Sequence, residues 1–225
     1  MNKAISIVVI AVLVLSLAGC ASMSNTGQGA IIGGAGGAVL GGLIGHAAGN
    51  TLAGAIIGAA VGGAAGAIIG SYMDKQAAEM QRDLQGAKVE RVGEGIKITF
   101  DSGILFDIDK SALRDASRTN LVNLAKILNK YPDTNVLIEG HTDVTGTAEH
   151  NLVLSKERAQ SVAGYLGAQN VSPPRFSTMG YGAAQPIAAN DTVDGRQANR
   201  RVDIAVMAND KLKKAAQDQA KKEGQ

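Results

Sequence analysis

The pattern of hydrophobic and polar positions divides this chain into a glycine-rich apolar first third and a longer part with regular periodicities. Residues 96–100 (IKITF) alternate as in a half-buried strand, and residues 136–138 (VLI) form a short run typical of a buried strand. The spacing of leucines between residues 113 and 128 indicates an amphipathic helix that stops at Tyr131-Pro132. The predicted elements are strands 89–92, 96–100, 136–139, 175–179 and 202–206, with two long helices that end near residues 131 and 168. Strands that alternate with two long helices predict an α+β sandwich.

The first 19 residues have the pattern of an export signal. Lys3 precedes an apolar run over residues 4–17, and small residues follow it. A transmembrane anchor is the competing interpretation, but the run is short for a span. Residues 17–20 (LAGC) resemble the bacterial lipobox, which implies cleavage before Cys20 and acylation of that cysteine. Ala21 and Ser22 follow, without the acidic residue associated with inner-membrane retention, so the resemblance implies an outer-membrane lipoprotein.

Residues 21–73 contain no Asp, Glu, Lys or Arg, and glycines recur there every fourth residue. The segment GAIIG occurs at 29–33 and again at 54–58, which indicates an internal duplication. In lipid, small residues at every fourth position allow helices to approach closely. The pattern therefore predicts a glycine-zipper hairpin over residues 29–73, with helices at 30–45 and 52–70. A flexible linker and a channel-like homo-oligomer remain alternatives, and whether the hairpin spans the bilayer is left open.

Two charged segments flank the predicted sandwich. Residues 74–86 (DKQAAEMQRDLQG) predict a solvated helical tether, and the lysine-rich residues 208–225 predict a frayed helix or a disordered tail. The full division is signal peptide 1–19, acylated N-terminus and linker 20–28, zipper hairpin 29–73, tether 74–88, sandwich domain 89–207 and tail 208–225.

A pair of opposite charges stands out in the stretch GHTDVTGTAEHNLVLSKER (residues 140–158). Asp143 follows the apolar strand, and Arg158 lies on the next helix in one stripe with Asn151 and Ser155. A carboxylate beyond a strand and a guanidinium on the adjoining helix could hold a small zwitterion, the acid taking an ammonium and the arginine a carboxylate. The alternative is that Asp143 caps the following turn while Arg158 is solvated.

Several motifs in this part resemble the OmpA-like peptidoglycan-binding domain family. They are HTD (141–143), Gly146, Asn151, LS (154–155), RA (158–159), NRRV (199–202) and, upstream, LFDIDKSAL (105–113). The resemblance covers roughly residues 89–207 and implies a βαβαβ sandwich with a mixed sheet and two helices on one face. It also implies that Asp143 and Arg158 hold the diaminopimelate of a peptidoglycan stem peptide.

The resemblance implies roles for further residues. Phe106 and Asp107 match the edge of the ligand pocket, Leu154 matches a contact to the aliphatic part of the ligand, and Thr142 matches a contact through the backbone. Asn151 is expected to fix the loop around Asp143, and Asn199, Arg200 and Arg201 are expected to support the pocket. Motor-stator members of the family need an acid in a membrane helix, and residues 21–73 contain none.

Composition argues against several other functions. A net charge of +2, no Trp and 3% aromatic residues offer no basic, aromatic surface for nucleic acid. The three histidines show no metal-ligand spacing, and no nucleophile elbow occurs, so neither catalysis nor a cofactor is expected. The sequence therefore predicts a lipoprotein that tethers the outer membrane to peptidoglycan. A glycine-zipper pore that carries a wall anchor and an envelope adaptor that binds a partner protein remain the alternatives.

Overall fold

The computed structural model describes residues 51–224. Two helices come first, followed by strands and helices that alternate along the chain. The helices are α1 (Thr51–Gly58), α2 (Gly63–Asp83), α3 (Ser102–Leu105), α4 (Asp115–Lys130), α5 (Ala148–Ala168), α6 (Val193–Asn199) and α7 (Asp210–Glu223), with a 3-10 turn at Pro173–Arg175. The strands are β1 (Ala87–Val92), β2 (Gly95–Asp101), β3 (Thr134–Gly140), β4 (Phe176–Gly180) and β5 (Arg201–Ala208).

The five strands form one mixed sheet in the order β1-β2-β5-β3-β4. β3 and β4 are parallel, whereas the other neighbours are antiparallel. Alternate residues of the central strands, such as Ile98, Ile138 and Ile204, face a core that α4 and α5 cover. The predicted α+β class, with a mixed sheet and two long helices on one face, is confirmed. The structure adds α2 and α7 to that same core.

The helix α2 differs most from the sequence prediction. It crosses the expected boundary between zipper and tether at residue 73, and Ile69, Met73, Ala77 and Met80 are each at most 2% exposed. These residues recur every three or four positions, so one apolar stripe continues into the charged segment while the charged side chains occupy the other face. The expectation of a solvated tether is therefore wrong for residues 74–83.

The predicted continuous helix over residues 52–70 is also wrong, because the chain turns between α1 and α2. Gly62 and Gly63 have φ of +73° and +61°, a left-handed conformation that favours glycine. The Glu94 carboxylate accepts hydrogen bonds from the N–H groups of Val61 at 2.8 Å and Gly62 at 2.7 Å. A side chain from the β1–β2 turn thus fixes the start of α2. The predicted helix at 30–45 and the lipidated Cys20 lie outside the described residues.

The glycine at position 66 leaves room for a side chain from the β1–β2 turn. A Cβ added there would lie 2.3 Å from Oε1 of Glu94, so this member of the glycine row lets the β1–β2 turn approach α2. Between residues 51 and 224, none of the helices combines the length and hydrophobicity that a bilayer crossing requires.

The C-terminal segment is a helix and not the frayed or disordered tail that its lysines suggest. The Asn209 side chain accepts a hydrogen bond from the Leu212 N–H at 3.0 Å and caps α7. Leu212 and Ala216 are buried, and α7 packs against α2. These two residues are spaced four positions apart and so lie on one face of the helix, with the lysines around that face.

Candidate functional site

The end of β3 and the middle of α5 pack backbone to backbone, and this contact sets the geometry of the site. A Cβ added to Gly140 would lie 2.0 Å from the carbonyl oxygen of Ser155, so only glycine fits at this crossing. The Ser155 hydroxyl donates to Leu152 O at 2.9 Å and accepts from Gly182 N–H at 2.9 Å. Three residues beyond each partner of this crossing lie Asp143 and Arg158, which therefore reach the same end of the sheet.

A cavity of about 580 Å³ opens at this end. The structure brings together there all of the residues that the sequence predicted as ligand contacts. They are Phe106, Asp107, Thr142, Asp143, Asn151, Leu154 and Arg158.

Asp143 is 5% exposed, and both of its carboxylate oxygens are engaged. Oδ1 accepts from the Thr145 N–H at 2.7 Å, and Oδ2 forms an ion pair with Arg200. Burial raises the pKa of Asp143, but the hydrogen bonds from Thr145 and Arg200 outweigh it and hold the pKa below its ordinary value of 3.8. The carboxylate is thus charged at neutral pH, and its remaining lone pairs can accept a ligand ammonium.

Arg158 is 4% exposed and is fixed along its length. Its Nε donates to the carbonyl of Lys110 at 2.9 Å, and its guanidinium lies 5.1 Å from the centre of the Phe106 ring. Burial lowers the pKa of Arg158, with Asp109 and Asp143 acting in the opposite direction. Within residues 51–224, neither Nη atom donates a hydrogen bond to the protein. The two terminal donors are therefore free to bind a carboxylate in a two-pronged contact.

The alternative in which Asp143 caps a turn and Arg158 is solvated is half right. Asp143 does accept a hydrogen bond from the N–H two residues on, as a turn-forming Asp does. Arg158 is buried, however, and points into the same cavity.

The supporting residues hold the loops around the cavity. Asn151 donates through Nδ2 to the carbonyls of Asp143 at 3.2 Å and Thr145 at 3.0 Å. The Thr142 N–H already donates to Gly182 O at 2.9 Å, so a backbone contact from this residue to a ligand would come from its carbonyl. Hydrogen bonds within the protein therefore fix the conformation of the loop between residues 141 and 147 without a ligand.

The three residues of the NRR motif have different positions. Asn199 binds the segment 187–190 through four hydrogen bonds, and Arg201 pairs with Asp203 at 2.9 Å; neither lines the cavity. Arg200, expected only as a support, lines the cavity and is the ion-pair partner of Asp143. The sequence did not predict His150 and Asp109 as site residues. They lie at the rim of the cavity, with Nε2 of His150 2.6 Å from Oδ1 of Asp109.

Comparisons with known proteins agree with this fold. A model of the OmpA family matches residues 105–200. A peptidoglycan-associated lipoprotein from Mesorhizobium japonicum is 32% identical over 125 residues, which make up 56% of this chain and 74% of that protein. The chain belongs to the OmpA family. This confirms the resemblance that the sequence motifs indicated.

Other relatives match the same part of the chain. The probable lipoprotein YiaD of Escherichia coli is 39% identical over 137 residues, or 60% of this chain and 63% of that protein. A structure of the cell wall anchor of the T6SS from Pseudomonas aeruginosa is 32% identical with a TM-score of 0.54, and the match covers 61% of this chain and 97% of that one. A second model, the YMGG-like Gly-zipper, matches residues 1–74. The chain spans between a third and two thirds of the first curated relatives that it matches.

Proposed function

We propose that this protein is an outer-membrane lipoprotein that holds the membrane to peptidoglycan by binding the diaminopimelate of a stem peptide without a covalent bond. One observation carries the proposal. Asp143 and Arg158 carry opposite charges, and each is at most 5% exposed. Both line one cavity, and each keeps unused hydrogen-bonding capacity.

The chemistry of the cavity matches the free end of diaminopimelate, where an ammonium and a carboxylate share one carbon. The Nη atoms of Arg158 would bind the carboxylate, and Asp143 would accept from the ammonium. Leu154 and the ring of Phe106 would contact the methylene chain of the ligand. Two charges in a partly desolvated site attract a zwitterion more strongly than exposed charges would.

Two relatives support the choice of ligand. The protein from M. japonicum is named a peptidoglycan-associated lipoprotein, and the structure from P. aeruginosa is described as a cell wall anchor. The OmpA family model matches residues 105–200, which include most of the residues that line the cavity. We infer that residues 87–208 form the wall-binding part.

The membrane part of the proposal rests on the N-terminal sequence. A lipobox before Cys20 supports acylation, and the match of residues 1–74 to a Gly-zipper model supports a role for the zipper in lipid or in self-association. The lipoprotein name of YiaD agrees with this placement. The partners are therefore the peptidoglycan stem peptide, outer-membrane lipid and, through the zipper, a second copy of the chain.

Calorimetry of the full chain with two stem peptides, one containing diaminopimelate and one containing lysine in its place, tests the ligand. The lysine peptide lacks the carboxylate for Arg158, so we expect it to bind about 100-fold more weakly, in line with the loss of one partner of a buried charged contact. Asp143→Asn and Arg158→Lys should each weaken binding of the first peptide by a similar factor.

Asp115→Asn and Arg118→Lys are matched controls, because these residues form an exposed ion pair at 3.2 Å on α4. They should leave binding unchanged. Retention of both cavity variants on purified peptidoglycan at the wild-type level would refute the proposed function.

A further inference from the structure

The helix α1 is attached to the domain far more weakly than α2. Two of its eight residues, Leu52 and Ile56, are buried, each at 1% exposure. They pack on the face of the sheet opposite to the main core, against Leu137, Ala205 and Met207. By contrast, α2 buries seven residues, five of which belong to the main core. An element with few buried apolar contacts opens at a lower free energy than its neighbours.

The short connection between α1 and α2, which we call the joint, allows the two helices to move separately. Residues 59–62 connect them, and the Glu94 carboxylate binds the N–H groups of Val61 and Gly62 at the far side of this joint. These two hydrogen bonds hold the start of α2 whether or not α1 is in place. Residues 59 and 60 lie between α1 and this held pair, so a change in their conformation can move α1 without moving α2.

A buried polar cluster lies on the face of the sheet that α1 shares. Glu139 and His141 are each 1% exposed, and neither ring nitrogen of His141 nor Oε1 of Glu139 has a hydrogen-bond partner among the described residues. Tyr181 stacks on the His141 ring at a centroid distance of 5.5 Å. Burial and the nearby Glu139 raise the pKa of Tyr181 to about 12, and Thr51, the first residue of α1, acts in the opposite direction. Buried polar atoms without partners cost free energy, and water that enters when α1 leaves would satisfy them.

The direction of α1 places its first residue, Thr51, at the ligand end of the domain. Thr51 lies at the carboxyl ends of β3 and β4, where Gln185 donates a hydrogen bond to its hydroxyl. Ile56 lies at the opposite end of the sheet, where a Cβ on Gly95 would be 2.5 Å from its side chain. The cavity is also beyond the carboxyl end of β3. A pull between a bound ligand and the N-terminal chain would therefore load Thr51 first and break the contacts of α1 one after another.

We propose that α1 is a releasable strap, bound to the second face of the sheet at rest and detached under load as far as the joint held by Glu94. Release frees residues 51–60, up to the pair of residues held by Glu94, and these extend to about 34 Å at roughly 3.4 Å per residue. As a folded helix, α1 spans about 12 Å. The strap thus lengthens the connection between membrane and domain without unfolding the ligand cavity. Its use as an extensible tether rests on the proposed function, whereas its independent release does not.

Hydrogen exchange of the full chain tests this release. We expect amides of α1 to exchange about 100-fold faster than amides in the middle of α2, because α1 opens alone. Ile56→Ala removes one of the two buried anchors and should speed α1 exchange by a further factor of about 10 or more, with no change in α2. Ile57→Ala is the matched control, since Ile57 is 61% exposed and should have no effect.

Exchange of α1 and α2 at one common rate would overturn the proposal, as would an Ile56→Ala variant that speeds both helices and the sheet together. The measurement contains no wall material, so its outcome is separate from the peptide-binding test. Independent exchange of α1 together with failed peptide binding would reject the proposed function and keep the strap. The reverse result would reject the strap and keep the function.

Discussion

Replacement of Gly140 by alanine tests whether one backbone crossing positions the ligand cavity. Gly140 ends β3, and the added Cβ would lie 2.0 Å from the Ser155 carbonyl oxygen, 2.7 Å from its carbon and 3.2 Å from its Cα. Real Cβ atoms essentially never come within 3.0 Å of another heavy atom, and all three neighbours belong to the backbone of α5. The helix must therefore move away from the sheet by about 1 Å or more, since backbone atoms cannot rotate aside.

The expected cost follows from the contacts that this shift disturbs. Overpacking of a close-packed interior costs about 1–3 kcal/mol. The hydrogen bond from Gly182 N–H to Ser155 would also lengthen, at about 1 kcal/mol. We expect the free energy of unfolding to fall by about 3 kcal/mol. Arg158 moves with α5, so affinity for the diaminopimelate peptide should fall by about 10-fold or more as the two-pronged contact loses its geometry.

Urea unfolding of the full chain, with peptide calorimetry on the same samples, measures both effects. Gly164→Ala is the matched control, because Gly164 lies on the same helix with no heavy atom within 4 Å of an added Cβ. Alanine should stabilise that position by up to about 1 kcal/mol through helix propensity. Equal stabilities for the two variants, or a Gly140→Ala protein with wild-type affinity, would show that this crossing does not position Arg158.

Three further predictions concern stability. Burial raises the pKa of Asp203, but Arg201, Lys97 and His141 hold it below its usual value, so this group stabilises the fold above about pH 4 and its contribution is lost as the pH falls through the lowered pKa. The Asp203→Asn variant should have a free energy of unfolding about 3 kcal/mol lower than the wild type at pH 7. In urea unfolding it should lose less stability than the wild type between pH 5 and 2, and an equal loss would contradict this expectation. Arg175→Ala removes four hydrogen bonds to the segment 128–134, and we expect a Tm lower by about 10 °C in calorimetry, where a loss below about 2 °C would contradict the expectation. Glu94→Gln should speed hydrogen exchange in the first turn of α2 by about 10-fold, and unchanged rates would mean that Glu94 does not hold the joint.

The sheet and the residues that line the cavity could be predicted from the sequence because their signals are local. Alternation at residues 96–100 and the run at 136–138 each mark a strand without knowledge of its neighbours. Asp143 and Arg158 lie fifteen residues apart on consecutive elements. One strand, one turn and one helix therefore fix their relative position, and the family motifs add the ligand. Distant pairings played no part in these predictions.

Arg200 could not be found in the same way. It meets Asp143 across 57 residues, after a strand, an irregular segment and α6 have returned the chain to the same edge of the sheet. The sequence showed only two adjacent arginines, of which one binds inside the sheet and the other in the cavity. A strand register is needed to separate them, because residues 200 and 201 point in different directions only once β5 is known to begin at Arg201.

The end of the zipper was misjudged because composition and periodicity disagree there. The change from uncharged to charged residues at 73–74 suggested a boundary, whereas the apolar spacing from Ile69 through Met80 continued across it. Burial follows the spacing, since a helix can place charges on one face and apolar residues on the other. A test of the period across the change in composition would have assigned α2 to the domain.

The arrangement of the cavity explains why two buried opposite charges do not neutralise each other. Within residues 51–224, Asp143 pairs with Arg200, and Arg158 is fixed by the Lys110 carbonyl and the Phe106 ring, with no ion pair between Asp143 and Arg158. A direct pair would be stronger in a site of low dielectric, but it would also close the cavity and would have to break before a ligand could bind. Separate partners hold each charge in place with donors and acceptors to spare. The fold thus keeps the site open, and under the proposed function a zwitterionic ligand would supply the missing contact between the two charges.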